Sequence, residues 1–417
     1  VGHNALGREF ERVLPAGSVA NLYPFNYSGK TDPKGIYIGN DKYGSNIVVD
    51  FDRRESDKTS ANILILGNSG QGKSYLMKLL ICNLLEAGKS VISLDAEHEL
   101  EELCGNLGGC FIDLMAGEKR INVLEVRCWD EGDTSEPDES VPEAFRKSTL
   151  LARHISFLKD FFRAYKDFSD PQLDTIEIML SKLYQKWGIT EETDFRQLTP
   201  EDYPILSDLY ALINNELVNY RNGSLYTREL LQEVLLGLHS LCVGADAPFF
   251  NGHTNITGDR FLVFGVGGML TAAKSLRNAL LFNVLAYMSD RLLTAGNTVA
   301  ALDELYLWLS NPVAIEYIRN CLKRVRKRDS ALLMASQNLE DFDQEGVREM
   351  TKPLFAIPPH QFLFNPGSIG RRFYMDMLQL DEAEFELIRH ARRGECLFKC
   401  GAERYLLEVK ACLLYTS

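Results

Sequence analysis

Apolar positions along the chain fall into two alternating patterns. Short apolar runs at residues 62–66, 90–95, 260–266, 298–302 and 331–337 are bounded by polar or turn-forming residues, and each predicts a strand. Between them lie segments with apolar residues at helical spacing. Residues 74–85 carry Leu76, Leu79, Leu80 and Leu84, and residues 271–293 carry Leu276, Leu280, Val284, Tyr287 and Leu292. A further helix is predicted at 314–326. Additional strands are predicted at 353–357, 361–364, 395–399 and 405–409. Strands alternating with helices imply a central, mainly parallel sheet.

The pattern changes twice. Residues 130–143 hold seven acids, two prolines and no base, which predicts a solvated loop. From 142 to about 241 only helical spacing is present, through Leu150, Leu151, His154, Ile155, Leu158, Phe161 and Phe162, then Leu173, Ile176, Met179, Leu183 and Tyr184. This reads as an all-α insertion of ordinary domain size. We expect four parts: a small β element at 1–60 packed on the core, a first core segment at 61–128, the acidic loop and insertion at 129–258, and a second core segment at 259–417.

The chemistry concentrates where the first strand–helix pair meets. Gly67-Asn68-Ser69-Gly70-Gln71-Gly72-Lys73-Ser74 fits the pattern G-x-x-x-x-G-K-[ST] between a predicted strand and a predicted helix. Glycines allow the backbone to wrap a phosphate with its N–H groups turned inward, and the helix start adds a positive dipole end. Lys73 is expected to reach the β- and γ-phosphates of ATP and Ser74 to ligate Mg²⁺, and Gly67 through Tyr75 are expected to bind the nucleotide. An acidic partner must stand at the end of another strand. Asp303-Glu304 after residues 298–302 fits best, with Asp303 on the metal side and Glu304 orienting or deprotonating the attacking water. Asp95, also at a strand end, is the competing acid. Gln337, ending the run 331–337, is the candidate for sensing the γ-phosphate. An adjacent acid pair favours a hydrolase over a kinase, which must exclude water.

Lys73 and Asp303 stand 230 residues apart, which is what requires the insertion. The segment Lys323-Arg324-Val325-Arg326-Lys327-Arg328 is strongly basic. It has three readings: a solvated helix end, a source of an arginine acting in a neighbour's site, or a nucleic-acid contact. Arg326, Arg328 and, before Gly394, Arg393 are the arginine candidates.

Composition narrows the choice of function. Of 417 residues, 45% are hydrophobic and 25% charged, as in an ordinary globular protein. The net charge of −13 argues against a whole-surface nucleic-acid or membrane binder but leaves a local basic patch open. No apolar run is long enough for a membrane-spanning helix. The first residue is Val and no signal-peptide pattern follows, so we read a fragment or processed chain. The nine cysteines are scattered, with only Cys396-x₃-Cys400 close, and buried free thiols in a reducing, cytoplasmic setting are expected.

Taken in order, Gly67–Ser74, Asp95-Ala96-Glu97-His98-Glu99, Gly108-Gly109, Ile121-Asn122, Ala301-Leu302-Asp303-Glu304, Ala335-Ser336-Gln337 and Arg392-Arg393-Gly394-Glu395-Cys396-Leu397 resemble the C-terminal ATPase domain of the fourth VirB component of type IV secretion. This is the TraC/TrbE class of conjugation ATPases, in the FtsK–HerA branch of RecA-like motors. The likeness spans about 35–409. It departs from the family at Ala96, where proline is usual. The resemblance implies a RecA-like P-loop core with an all-α insertion and Mg²⁺-dependent ATP hydrolysis. It further implies a multimeric, hexameric assembly and a cytoplasmic position beside secretion components at the inner membrane. It also implies the absence of the family's larger N-terminal domain. Two other functions remain: a DNA-translocating ATPase of the coupling-protein type, and a nucleotide-gated docking module in which hydrolysis is incidental.

Overall fold

The computed structural model describes residues 28–127, 149–221, 223–256, 258–308, 312–337, 348–367 and 371–411. The predicted acidic loop at 130–143 lies outside these residues.

Twelve strands form one sheet. In chain order they are β1 Lys30–Thr31, β2 Ile36–Asp41, β3 Asn46–Val49, β4 Ile63–Leu66, β5 Ser90–Asp95, β6 Cys110–Asp113, β7 Phe261–Gly265, β8 Thr298–Leu302, β9 Ala331–Ser336, β10 His360–Leu363, β11 Glu395–Cys400 and β12 Glu403–Val409. Their spatial order is β1-β3-β2-β12-β11-β10-β4-β9-β8-β5-β7-β6. From β10 to β6 every neighbour is parallel. β11, β12 and β2 then continue antiparallel. The strands at 36–49 are therefore hydrogen-bonded into the sheet through β12.

Both sheet faces are buried, as a parallel sheet requires. Alternation along β4 sorts the side chains. Ile63 and Ile65 pack with Leu76, Leu80 and Leu84 of helix α1 (Lys73–Glu86). Leu64 and Leu66 face the other way, into a core shared with the helices after β6. Helix α2 (Glu101–Asn106) joins the α1 face through Cys104. At about 25 cal/mol per Å² of apolar area, these two interfaces supply most of the favourable folding term.

Between β6 and β7 the described elements are all helical. α3 (Leu150–Tyr165), α4 (Asp170–Lys186), α5 (Leu206–Val218) and α6 (Arg228–Cys242) are followed by the short α7 (Ala247–Phe250). Starts are set by local chemistry: Thr149 caps α3 by accepting from the Ala152 N–H at 3.2 Å, and Ser169 with Gln172 forms a capping box on α4. The insertion packs on α9 (Lys274–Asp290), reached after the short α8 (Gly267–Leu270). Phe282 of α9 stacks on Phe157 at 5.1 Å and contacts Phe161.

The buried stretch 121–124 ties the insertion to the core. Asn122 donates from its side chain to the Pro204 carbonyl at 2.9 Å and accepts from the Leu124 N–H at 3.0 Å. Tyr184 donates to the Leu124 carbonyl, and Asn283 to that of Ile121.

One predicted strand is a helix. Residues 353–357 belong to the end of α11 (Arg348–Ala356), which follows α10 (Pro312–Arg324) and β9. Thr351, Leu354 and Phe355 are buried while Lys352 and Ala356 are exposed, which is helical spacing. The sequence conceals it, because a polar Thr sits on the inner face and an apolar Ala on the outer one. α12 (Arg371–Leu378) and α13 (Glu382–Arg389) complete the face opposite α1.

Candidate functional site

Parallel strands end together, so loops after β4, β8, β9 and β10 share one edge of the sheet. The loop 67–72 after β4 carries its glycines where backbone freedom is needed. Gly70 and Gly72 have φ of +75° and +110°, and Gly72 opens α1 directly. At Gly67 the need is space: a Cβ there would lie 2.5 Å from the Phe364 Cβ. The loop is held by neighbours on one flank. Asn68 donates its N–H to the Asn365 carbonyl at 2.9 Å, and Gly394 donates to the Gln71 carbonyl at 2.9 Å. Lys73 is buried and its Nζ donates to the Asn68 carbonyl at 3.0 Å, lying along the loop it would serve. Ser74 is half-buried in the first turn of α1, and Ser69 donates its N–H to the Asn68 side chain.

The register brings the acids to this edge. Leu66 pairs with Ser336 on β9, and Leu302 on β8 pairs with Met334. Gln337 therefore leaves β9 between the phosphate loop and Asp303-Glu304. Asp303 accepts the Glu304 N–H at 2.9 Å. Glu304 is buried, has φ of +48°, and its Oε2 has no hydrogen-bond partner among the described residues. A buried glutamate in the left-handed region stores backbone strain of about 1–3 kcal/mol, a cost typical of functional positions.

Burial pushes Asp303 up to about 6, with Glu99 and Asp95 adding to it against the Glu304 N–H and Lys73. Burial likewise pushes Glu304 up to about 7, reinforced by Asp303, Glu97 and Glu99 and opposed by Lys73. Lys73 is lowered by burial and raised back by Glu304, Asp303, Glu99 and Glu97, so the net shift is downward. The site thus gathers one lysine and several carboxylates in a partly dry space. That is the donor set for a phosphate chain with a hard divalent cation.

Asp95 does different work. Its two carboxylate oxygens accept the Glu99 and Leu100 N–H groups at 3.1 and 2.8 Å, which caps the approach to α2. His98, at φ +58°, packs on Phe111 and fills the space beside Gly265 and Gly267. Those glycines admit the imidazole ring, a fit the sequence alone did not announce.

The arginine candidates separate. Gly394 touches the phosphate loop, so the exposed Arg393 stands beside its own site. Arg326 and Arg328, exposed in the 3₁₀ turn Val325–Arg328, precede β9 and lie at the opposite edge of the sheet. At ~3.3 Å per residue along β9, that is on the order of 20 Å from the phosphate loop. The Tyr75 side chain points to the end of β12, where its hydroxyl accepts the Ala411 N–H at 3.1 Å.

The seven cysteines among the described residues are all free thiols, and no cluster of three or more metal-ligating side chains is present there. Cys396 is fully buried within β11.

The family described as Helicase HerA, central domain, matches residues 36–234. The solved structure of VirB4 of Thermoanaerobacter pseudethanolicus is 30% identical and superposes with a TM-score of 0.77, covering 94% of this chain and 100% of that one. The chain belongs to the VirB4 family of type IV secretion and conjugation ATPases. TraC of Escherichia coli strain K12 is 22% identical over 84% of this chain and 37% of TraC. The plasmid coupling protein TrwB, solved in complex with ADP and Mg²⁺, shares the fold at 12% identity and a TM-score of 0.52, covering 96% of this chain and 94% of that one. The chain spans between 14% and 67% of the length of the curated relatives it matches. The large, mostly parallel sheet with helices on both faces is thus the RecA-like P-loop fold of the VirB4 and TrwB structures.

Proposed function

We propose that this VirB4-family chain is the ATP-hydrolysing motor domain that energises a type IV secretion or conjugation apparatus, through substrate transfer or pilus assembly. The carrying observation is the convergence at one sheet edge of the glycine-cradled loop, the buried Lys73 and the strained Glu304, whose Oε2 has no hydrogen-bond partner among the described residues. In this reading the loop N–H groups of residues 67–74 and the start of α1 hold the phosphates. Lys73 turns from the Asn68 carbonyl onto the β- and γ-oxygens. Ser74 and Asp303 would hold Mg²⁺, which would supply positive charge against the phosphate oxygens. Glu304 orients the attacking water and takes its proton at Oε2. Gln337 orients the same water from the neighbouring strand.

Arg326 and Arg328 stand too far from their own phosphate loop to act there. They serve a neighbouring subunit in a hexameric ring, while Arg393 contacts the nucleotide of its own subunit. The assembly works at the cytoplasmic face of the inner membrane, bound to other secretion components. No helix among the described residues is long and apolar enough to cross a membrane.

Steady-state phosphate release by the purified assembly tests the reading. Lys73→Ala and Glu304→Gln should each abolish Mg²⁺-dependent turnover; unchanged hydrolysis in both would sink it. A DNA-translocating role draws support from the exposed basic turn at Val325–Arg328. A titration with duplex DNA at low salt separates it, since that role requires binding with a steep negative salt slope. For a docking module in which hydrolysis is incidental, turnover would not track secretion.

A further inference from the structure

β10, β11 and β12 lie on the side of β4 away from the acids, and an open apolar groove there takes no part in the phosphate site. It has a volume of about 580 Å³ and lies between α13 and the β11–β12 hairpin, lined by Ala383, Leu387, His390, Ala391, Glu395 and Leu406. Leu406 faces it, whereas its neighbour Leu407 packs in the α1 core, so the groove opens on the opposite sheet face. Leu387 is 46% exposed, although the inner face of α13, with Phe385 and Ile388, is already buried. An apolar trough left open on a helix whose packing is otherwise complete points to a covering surface.

The rim of the groove is basic. Arg389, His390, Arg392 and Arg393 are all exposed. The acids among them are already engaged: Glu386 by Arg371, Arg389 and His390 at 3.6, 3.7 and 3.3 Å, and Glu395 by the Arg392 N–H at 2.9 Å. A surface of opposite charge stands on the same chain. α2 presents the exposed Glu101 and Glu102, and Leu107, which ends it, is 45% exposed. Gly105 on that helix is also exposed, does not have a positive φ, and a Cβ there would meet nothing within 4 Å. The fold of its own chain therefore does not require a glycine, which weakens a helix. A bare backbone at that point admits the close approach of an outside surface. Groove and α2 do not meet within one copy. α2 packs on β6 and β7, and seven strand-to-strand steps separate β11 from β6, about 30 Å at ~4.8 Å per step.

We propose that this groove receives the α2 end of a second copy of the chain, with Leu107 entering between Leu387 and Leu406 and with Glu101 and Glu102 facing the arginines of 389–393. The contact is heterologous, a different patch on each partner, so it repeats head to tail and closes into a ring where the rotation allows. It rests on the ring reading above and names the surfaces that build the ring. Leu107 lies just before β6 and the basic turn Val325–Arg328 just before β9, so both belong to the edge where the parallel strands begin. Glu395 lies at the other edge, beside Gly394 and the phosphate loop. A copy that seats its Leu107 in the groove therefore also turns Arg326 and Arg328 toward its neighbour's phosphate-loop edge. Because Gly394 donates to the Gln71 carbonyl, a copy seated on 387–395 braces the phosphate loop as well.

Sedimentation velocity of the full chain with Mg²⁺ and a non-hydrolysable ATP analogue tests the interface, using wild type, Leu107→Lys and Leu387→Lys. Both leucines are exposed, so both variants should fold, which circular dichroism checks. Each variant alone should associate at least about 10-fold more weakly than wild type, the loss of one buried leucine contact. An equimolar mixture of the two should form dimers that grow no further, since each variant keeps the face that the other lacks. As a second readout, Leu107→Cys in one copy and Leu387→Cys in another should be joined by a short bismaleimide, the link being located by peptide mass mapping. Assembly of either lysine variant as in wild type would overturn the interface. So would a mixture that stays monomeric while wild type assembles, or the absence of a 107–387 link in assembled protein. In those cases the ring reading stands and only its surfaces are reassigned. A wild-type chain that stays monomeric with nucleotide would overturn both.

Discussion

Glu304 donates its backbone N–H to the carboxylate of Asp303, the residue before it, at 2.9 Å. That bond turns the chain at the end of β8, leaving one acid held by the backbone and the other buried with Oε2 unengaged among the described residues. Two adjacent carboxyls in one partly dry space acquire different environments, and both resist ionisation.

Stability should carry their signature. Folding raises Asp303 from 3.8 to about 6 and Glu304 from 4.5 to about 7, so the folded state favours the protonated forms. Their contribution is fully present below about pH 4 and is lost as pH rises through 6 to 7. Without nucleotide, the Asp303→Asn, Glu304→Gln double variant should be more stable than wild type at pH 8 by about 1–3 kcal/mol, with the difference shrinking toward pH 4. Urea midpoints across that range check this, and parallel pH curves for the two proteins would refute it.

Catalysis should follow the ionised Glu304. With its carboxyl near 7, kcat/KM should rise about tenfold per pH unit below that value and level above it. Glu304→Gln should lower kcat on the order of 10²–10⁴-fold while ATP still binds. A pH profile in Glu304→Gln that keeps the wild-type slope would assign the ionisation to another group.

Both loop glycines have positive φ, +155° at Gly67 and +75° at Gly70, and Gly67 adds a demand for space. Gly67→Ala drives a methyl to 2.5 Å from Phe364 and should cost about 1–3 kcal/mol of stability as well as nucleotide binding. Gly70→Ala meets nothing within 4 Å and suffers only its φ of +75°, so its cost should stay near 1 kcal/mol. Denaturation of the two variants side by side decides, and equal losses would mean that close packing is not what Gly67 provides.

Asn122 should matter far from any chemistry. Asn122→Ala removes the side-chain bonds to Pro204 and Leu124 in a fully buried position and leaves a carbonyl and an N–H without partners. We expect a loss of about 2–4 kcal/mol and earlier proteolysis of the helical insertion. Limited proteolysis with mass mapping reads this directly; a cleavage pattern identical to wild type would argue that other contacts hold the insertion.

The phosphate loop and the acid pair were legible in the sequence because each is a contiguous pattern whose local setting, a strand and then a turn, is equally local. Gln337 could be named for the same reason. Its position between Ser74 and Asp303 depends on β9 lying between β4 and β8, a fact of pairing that no single segment contains. The arginines illustrate the same limit. Arg326 and Arg393 look equivalent as basic residues, and only the direction of β9 and the Gly394–Gln71 bond send them to opposite edges. Asp95 competes with Asp303 as the metal-side acid in the sequence, and only the folded backbone brings the Glu99 and Leu100 amides onto its two oxygens. Residues 353–357 misled because Thr351 and Ala356 each sit on the face their polarity argues against.

The site edge is assembled from residues 67–74, 303–304, 337, 364–365 and 394, closed by the hydrogen bond from Gly394 back to Gln71. Loop closure over about 300 residues is slow to nucleate and comes late. During synthesis, the phosphate loop emerges before β10 and β11 and lacks the neighbours that shape it until they have been made. A nascent chain should therefore bind no nucleotide until β11 has left the ribosome, which ties nucleotide capture to completion of the sheet.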